Sequence, residues 1–223
     1  MFHRFKFDTL MIIGAEAYII LPIMIFACGW LKPLVALLCC GVLGNFWWRL
    51  HRSFISKRIL CAETKTFWIS IIIISAIWVY FSGIGSLVYQ NSDYWVRNPI
   101  FEDLSTYSWP VAYDLSLEPD LVKNICGDDR VAFSYYLCWW LPVAAISKMG
   151  GVEYNVRNIL LYLWAVLGII EIIYLLCRKL NKCSWIIPVI MILFSGLDII
   201  PYWICNNKPE LFTTLPRMWL KAT

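Results

Sequence analysis

The feature that most constrains this chain is a series of apolar runs, each about as long as a membrane-spanning helix. About twenty consecutive apolar residues are needed to cross the ~30 Å hydrocarbon core of a bilayer. The clearest run reads FWISIIIISAIWVYFSGIGSLV. A soluble chain of 223 residues could bury one or two such runs in its core, but not six. The candidate spans are Leu10–Trp30, Pro33–Trp48, Phe67–Val88, Val131–Met149, Ile159–Cys177 and Trp185–Cys205.

These runs predict an all-α fold, a polytopic transmembrane helical bundle of about six spans. An apolar share of 61% and an aromatic share of 17% agree with this prediction, because they are typical of membrane proteins rather than soluble domains. The second and fourth runs are short, so either could be tilted or fail to cross. The first run is longer than the apolar core of a signal peptide and lacks a following Ala-x-Ala site, so we expect it to be retained.

The runs divide the chain into three parts. Residues 1–66 hold two N-terminal spans and a basic cytoplasmic loop. Residues 67–205 hold a membrane core with a long external loop at 89–130. Residues 206–223 form a tail that ends soon after the sixth run, so we expect a truncated chain.

Charge predicts the orientation of the bundle. The segment Arg49–Lys65 carries five Lys/Arg and one acidic residue, and such cations collect on the cytoplasmic side of membrane proteins. The next span would then deliver residues 89–130 to the outer face. Six full crossings would also place Arg178, Lys179 and Lys182 outside, against the rule. Either the fourth run does not cross fully, or this short loop departs from the rule.

The loop at 89–130 is acidic, with eight Asp/Glu against three Lys/Arg. At about forty residues it is far longer than neighbouring helices need, and its content of Trp, Tyr, Ile and Leu is too high for a disordered linker. We therefore expect the loop to fold and to carry the function. Its pattern predicts a short amphipathic helix in the membrane interface, ended by Pro110. The apolar positions of that helix are Ile100, Phe101, Leu104, Tyr107 and Trp109.

Three carboxylates, Glu16, Glu171 and Asp198, lie at apparent membrane depth. A charge near the bilayer centre costs at least about 2.5–3.5 kcal/mol, so such a residue usually faces a partner, a cavity or a pathway. Each could form a substrate or proton site, or could be protonated or paired within the bundle. Asp198 lies between Gly196 and Pro201, which loosen a helix as at broken-helix binding sites.

Asp93 is the first carboxylate beyond the third run, where the outer mouth of the bundle is expected. Arg97 follows one helical turn later and is close enough to pair with it in a helix. Two interpretations remain open. Asp93 is a reactive carboxylate that uses a lipid-linked substrate at the membrane surface, or it forms an ordinary ion pair at a helix start.

Other residue types with chemical potential give weaker signals. His3 and His51 lie in basic flanks and are interpreted as solvated or facing headgroups. The nine cysteines lie mostly within or at the ends of apolar runs and make a weak case for disulfides. No Cys/His pair has ligand spacing, so we predict no metal and no cofactor.

The stretch SGIGSLVYQNSDYWVRNPIFEDLSTYSWPVAY, followed by SYYLCWWLPVAAISKMGG, NILLYLWAVLGII and FSGLDII, resembles a group of uncharacterised bacterial polytopic membrane proteins. These are similar in turn to the GT-C superfamily of glycosyltransferases, over about Ser82–Ile200. The resemblance implies an essential carboxylate just after a span, at the start of a long external loop followed by juxtamembrane helices. Only Asp93 corresponds to it. The chain has Asn91-Ser92-Asp93 where members often have an Asp-Glu or Asp-x-Asp pair, and fewer spans than members carry.

The resemblance implies a glycosyltransferase-like protein of the bacterial inner (plasma) membrane. It would transfer a sugar from a polyprenyl-phosphate donor to a cell-envelope glycan or lipid acceptor, with membrane lipid as a further partner and no nucleic acid. Asp93 would be the base on the acceptor hydroxyl, and Arg97, Asp103 and Asp198 would contact substrate. The alternatives are a transporter or flippase component, in which Glu171 and Asp198 line a path, and an inactive truncated subunit.

Overall fold

The computed structural model describes residues 2–56, 65–116, 130–133 and 135–194. These residues are mostly helical, as predicted, and they also form a two-stranded antiparallel sheet, which departs from an all-α fold. The helices are α1 (Phe2–Trp30), α2 (Pro33–Ser56), α3 (Lys65–Phe81), α4 (Tyr94–Thr106), α5 (Leu141–Gly150), α6 (Tyr154–Leu180) and α7 (Ile186–Phe194). The strands are β1 (Ala112–Asp114) and β2 (Arg130–Ala132).

Three helices are long and apolar enough to cross a membrane, over Phe7–Trp30, Pro33–Ser53 and Tyr154–Leu180. Helix α3 is apolar but has 17 residues. The second run is longer as a helix than its apolar stretch, because charged side chains such as Arg49 do not interrupt backbone hydrogen bonding. Within the described residues, three helices rather than six therefore have the length and apolar composition of a membrane span.

The fourth candidate span, Val131–Met149, is not a single helix, which favours the predicted alternative that it does not cross fully. It begins in β2 and contains only the ten-residue helix α5, whose rise of about 15 Å is half the thickness of the hydrocarbon core. Pro142, in the first turn of α5, suits a helix start, and Gly151 caps the end with a φ of 56°. One side of the helix is buried by protein, since Leu141 and Ala144 are 0% exposed, whereas Ile146 is 55% and Met149 is 90% exposed.

The third candidate span also differs from prediction, and the sixth is described only in part. Helix α3 ends at Phe81 rather than Val88, because the following turns use positive φ angles of 82° at Gly83 and 86° at Gly85. Helix α7 accounts for Ile186–Phe194 of the sixth run. The rest of that run, with Asp198, and the tail 206–223 lie outside the described residues.

The chain divides into two compact units. In the first, the start of α1 packs with α3, α6 and α7. Arg178 on α6 donates to Asp8 on α1 at 3.0 Å, and Tyr162 on α6 donates to the carbonyl of Ala76 on α3 at 2.9 Å. Both α1 and α3 therefore run antiparallel to α6. The buried core of this first unit is formed by Phe67, Ile71, Ile173, Cys177 and Ile187.

The second unit contains the rest of α1, with α2, most of α4, the sheet and α5. In the sheet, Tyr113 of β1 faces Val131 of β2. The Trp109 ring lies 5.4 Å from the Trp30 ring, and its Nε1 donates to the carbonyl of Leu104 at 2.8 Å. The loop segment after α4 is therefore folded against helices, as its aromatic content predicted.

The prediction for the cysteines is wrong at one position. Cys183 is disulfide-bonded, although the apolar surroundings of most cysteines favoured free thiols. Among the described cysteines, those outside any disulfide are Cys28, Cys39, Cys40, Cys138 and Cys177. Disulfides persist mainly in oxidising compartments. The bond of Cys183 therefore favours such a compartment for the residues that follow α6.

Candidate functional site

Asp93 lies at the start of α4, immediately after the glycine-containing turns that follow α3. Its carbonyl accepts the amide of Arg97 at 3.2 Å, which begins the helix. Its own amide donates to the Asn91 side chain, also at 3.2 Å. A carboxylate at this position is favoured by the partial positive charge of a helix N-terminus. The local sequence therefore fixes the backbone of Asp93 at the start of α4.

The predicted pairing of Asp93 with Arg97 is confirmed. Arg97 Nη2 donates to Asp93 Oδ2 at 3.2 Å, and the side chains are 45% and 23% exposed, respectively. The guanidinium also lies 5.6 Å from the centre of the Tyr94 ring. A solvent-accessible pair of this kind stabilises a fold by at most about 1 kcal/mol. A substrate group could therefore replace either partner at low cost.

Tyr94 anchors the start of α4 to the end of α3. Its hydroxyl donates to the carbonyl of Ser82 at 2.7 Å, and burial raises the pKa of Tyr94, so it remains a donor. Gln90 donates to the carbonyl of Gly83 at 2.7 Å. These bonds hold Asp93 directly beside the end of an apolar helix, which is where the sequence placed it.

Asp103 is engaged with the strand that follows α4. It accepts a hydrogen bond from the hydroxyl of Tyr113 on β1. Burial, together with this bond to a carboxylate, raises the pKa of Tyr113 to about 12, which keeps the phenol protonated. The contacts of Asp103 thus tie α4 to the sheet. Asp198, the other predicted substrate residue, lies outside the described residues.

Arg157, near the start of α6, was not identified from the sequence. Its side chain is 7% exposed and donates to Glu102 on α4, whose side chain is 45% exposed. The guanidinium lies 5.9 Å from the centre of the Phe101 ring and 5.5 Å from that of Tyr154. A cation just before an apolar run looks like an ordinary flanking charge, and 55 residues separate it from its partner.

Glu16 on α1 is held by two side chains of α2. Its Oε2 accepts from Nε1 of Trp47 at 2.9 Å and lies 2.9 Å from Nδ1 of His51. Glu16 is 4% exposed, and its Oε1 has no hydrogen-bond partner among the described residues. This pairing within a bundle was one of the two predicted possibilities. His51, interpreted as solvated or facing headgroups, pairs with this carboxylate 35 positions away and keeps 24% of its side chain exposed.

Glu171 on α6 is also buried, at 4% exposure. Its Oε1 lies where a side chain on Gly14 would begin, so the glycine leaves room for the carboxylate beside α1. Its Oε2 is buried and lacks a hydrogen-bond partner within the described part of the chain. Two of the three predicted intramembrane carboxylates are therefore truly buried, and each keeps one unsatisfied oxygen.

The polar residues of the described segments offer bases and cations rather than a metal centre. In the described ranges, no group of three or more His, Cys, Asp or Glu side chains is placed to hold a metal ion. At this site Asp93 can accept a proton from a hydroxyl, and Arg97 is available to bind an anion. Comparison with family models, with curated proteins and with solved structures finds no match for this chain.

Proposed function

We propose that this protein is a multi-pass inner-membrane glycosyltransferase that uses a polyprenyl-phosphate sugar. One observation carries the proposal: Asp93 is a partly exposed carboxylate at a helix start, held at the end of an apolar helix and paired with a replaceable cation. A lipid-linked donor delivers its reactive end at the membrane surface. A base is needed at that level to take the proton of the acceptor hydroxyl.

The proposed topology has four crossings among the described helices, by α1, α2, α3 and α6. With 17 residues, α3 rises about 25 Å, at the short end of what can span a bilayer. With a cytoplasmic N-terminus, residues 82–153 are external. This topology places the cations after α6 on the cytoplasmic side, together with Arg49–Lys65; they are Arg178, Lys179 and Lys182. Six crossings would place them outside, against the positive-inside rule, and four crossings remove that conflict.

In the proposed reaction, the acceptor hydroxyl attacks the anomeric carbon of the donor sugar and its proton passes to Asp93. The bond between that carbon and the phosphate oxygen breaks, and the lipid phosphate leaves with the electron pair. The attack inverts the anomeric centre. Arg97 neutralises the phosphate charge, since a guanidinium binds such oxygens well. Asp103 holds α4 in place through Tyr113, Asp198 contacts substrate, and the transfer requires no metal or other cofactor.

Replacing Asp93 tests the proposal directly. Asp93→Asn keeps the size of the side chain but removes the base, and general-base catalysis contributes about 10²–10⁴-fold. We expect a loss of that order in sugar transfer, measured in membranes with radiolabelled polyprenyl-phosphate sugars, at unchanged expression. The matched control is Asp114→Asn, a carboxylate on β1 whose Oδ1 accepts the amide of Ser116. Equal transfer by Asp93→Asn and the parent would refute the mechanism.

A transporter is the second candidate, and the buried carboxylates favour it. Glu16 and Glu171 each carry an unsatisfied oxygen in a membrane-length helix, and carboxylates in such helices often form ion or proton pathways. If this is the function, Glu171→Gln abolishes substrate-driven proton uptake in proteoliposomes while Asp93→Asn does not. The glycosyltransferase predicts the reverse ranking, with transfer lost in Asp93→Asn alone.

A further inference from the structure

The second unit contains a buried cation whose hydrogen bonding is incomplete. The Arg157 side chain is 7% exposed, and its Nε is buried with no hydrogen-bond partner among the described residues. A buried donor without a partner destabilises a fold, and native structures rarely retain one without a reason. The Nε–H of Arg157 is therefore a candidate hydrogen-bond donor to a ligand.

The unfilled donor belongs to the edge of the guanidinium that ordinarily binds an oxyanion. The N–H groups of Nε and Nη2 point in the same direction, and a carboxylate or phosphate usually accepts both with two oxygens. Glu102 Oε2 accepts from Nη2 alone. The other oxygen of Glu102 lies 3.5 Å from the Thr106 hydroxyl, which donates to it. Half of the edge is therefore occupied, and Glu102 is shared between two donors.

The two partners differ in how firmly they are held. Arg157 is buried between the rings of Phe101 and Tyr154, whose centres lie within 5.9 Å of the guanidinium carbon. The Glu102 side chain is 45% exposed, so it can turn to water and still be solvated. An incoming anion can therefore displace the carboxylate, while the cation stays in position.

A second cation, Lys148 on α5, lies beside the end of α4. Lys148 Nζ donates to the carbonyl of Tyr107, at the end of α4, at 2.5 Å, and lies 4.6 Å from the centre of the Trp109 ring. Burial lowers the pKa of Lys148. Tyr107 follows Glu102 by five residues, about 7.5 Å along the helix. The α4 segment is thus bordered by two cations, and this favours an anionic ligand.

We infer that the Nε and Nη2 edge of Arg157 binds the phosphate group of a membrane lipid, which displaces Glu102. Arg157 lies in the first turn of the membrane-length helix α6, at the level where lipid headgroups carry their phosphates. The inference deepens the proposed function and rests on it, because the lipid would be the sugar donor or its product. No covalent bond forms or breaks in this binding step.

Binding to the purified full-length protein in neutral-lipid nanodiscs tests the inference. The probes are a long-chain polyisoprenyl phosphate, the corresponding alcohol and inorganic phosphate, and bound molecules are counted by native mass spectrometry. We expect the lipid phosphate to bind at least about tenfold more tightly than either other probe, since it alone has both the charged group and the anchoring chain. Equal binding of the alcohol, or of inorganic phosphate, would overturn the lipid-phosphate assignment.

Two substitutions separate a ligand site from a structural ion pair. Glu102→Gln removes the competing charge, so we expect affinity for the lipid phosphate to rise about tenfold, as one charged hydrogen bond implies. Arg157→Gln should lower affinity by at least as much. The exposed cation Arg52, which lies over the Trp48 ring on α2, provides the matched control Arg52→Gln, with unchanged affinity.

Glu102→Gln keeps the inference falsifiable if Arg157→Gln does not fold. Weaker or unchanged binding in Glu102→Gln would show that the pair is structural and would overturn the site. The assay measures binding of the lipid and requires no sugar transfer. Failure of the transferase mechanism and failure of the Arg157 site are therefore read from different measurements.

Discussion

The buried polar residues of this protein differ in whether each of their polar atoms has a hydrogen-bond partner. Glu16 is buried, and one of its oxygens depends on two donors from α2, Trp47 and His51. Removing one partner of a buried charged group costs more than the bond itself contributes, because the other partner remains desolvated. The cluster around Glu16 is therefore a sensitive point for stability.

At this scale we predict that Trp47→Phe destabilises the protein by about 1–3 kcal/mol, because it removes the indole donor and keeps the ring. The measurement is thermal unfolding of the purified protein in detergent. The neighbouring Trp48 is 58% exposed, so Trp48→Phe is the matched control and should change stability by less than about 0.5 kcal/mol. Equal effects of the two substitutions would contradict the role given to the indole of Trp47.

Which contacts the sequence predicts depends on how far apart the partners lie. The Asp93–Arg97 pair follows from helical spacing, because four residues bring side chains to the same face. Glu16 with His51, and Glu102 with Arg157, are brought together by tertiary packing across 35 and 55 positions. No local pattern encodes such pairs. His51 and Arg157 therefore looked like flanking charges.

At the scale of elements, the turn after α3 contacts α6 at Gly85, where no side chain fits. A side-chain carbon on Gly85 would lie 2.6 Å from the backbone carbonyl oxygen of Asn158, and the φ of Gly85 is +86°. Both the contact and the backbone angle exclude a side chain. The turn after α3 is thus shaped by the close approach of α6.

We expect Gly85→Ala to lower stability by about 1–3 kcal/mol, since the strained backbone and the backbone contact act together. Gly41, within α2, has open space where a side chain would begin, so Gly41→Ala serves as the control. It should be neutral or stabilising, by up to about 1 kcal/mol, because alanine favours a helix. Comparable melting temperatures for the two variants would contradict the close packing of α3 and α6.

The elements also show why hydropathy overestimates the number of spans. A segment covered by protein and a segment covered by lipid have the same apolar composition, so Val131–Met149 resembled a span although its helix, α5, has ten residues. Pro142 was a usable signal, because proline favours the first turn of a helix and disfavours its interior. Helices α1 and α6 follow the first and fifth runs, whereas α2 ends at Ser56 rather than at the predicted Trp48.

For the molecule as a whole, four and six crossings predict opposite sides for the segment after α6. The cations Arg178, Lys179 and Lys182 favour the cytoplasm, whereas the disulfide of Cys183 favours an oxidising compartment. The cation bias acts on every short loop during insertion. The cation bias therefore outweighs the single disulfide of Cys183, and this supports the proposed four-crossing topology.

The topology predicts that a cysteine at position 182 is protected from an impermeant thiol reagent in intact cells, while one at position 116 is labelled. Both are introduced into a background without native cysteines, and permeabilised cells give the total accessible signal. Labelling at 182 in intact cells would refute the four-crossing topology. Protection at 116 would refute the external placement of the acidic segment.

Helix α2 has 6% of its membrane-length window buried, so the described residues cover little of its circumference. Contacts with lipid are nearly equivalent for every rotation of a helix about its own axis. The hydrogen bonds from Trp47 and His51 to Glu16 are not equivalent, and they select a single rotation. Buried polar groups fix register in this way in other helical assemblies. Glu16 therefore determines the rotation of α2 about its own axis.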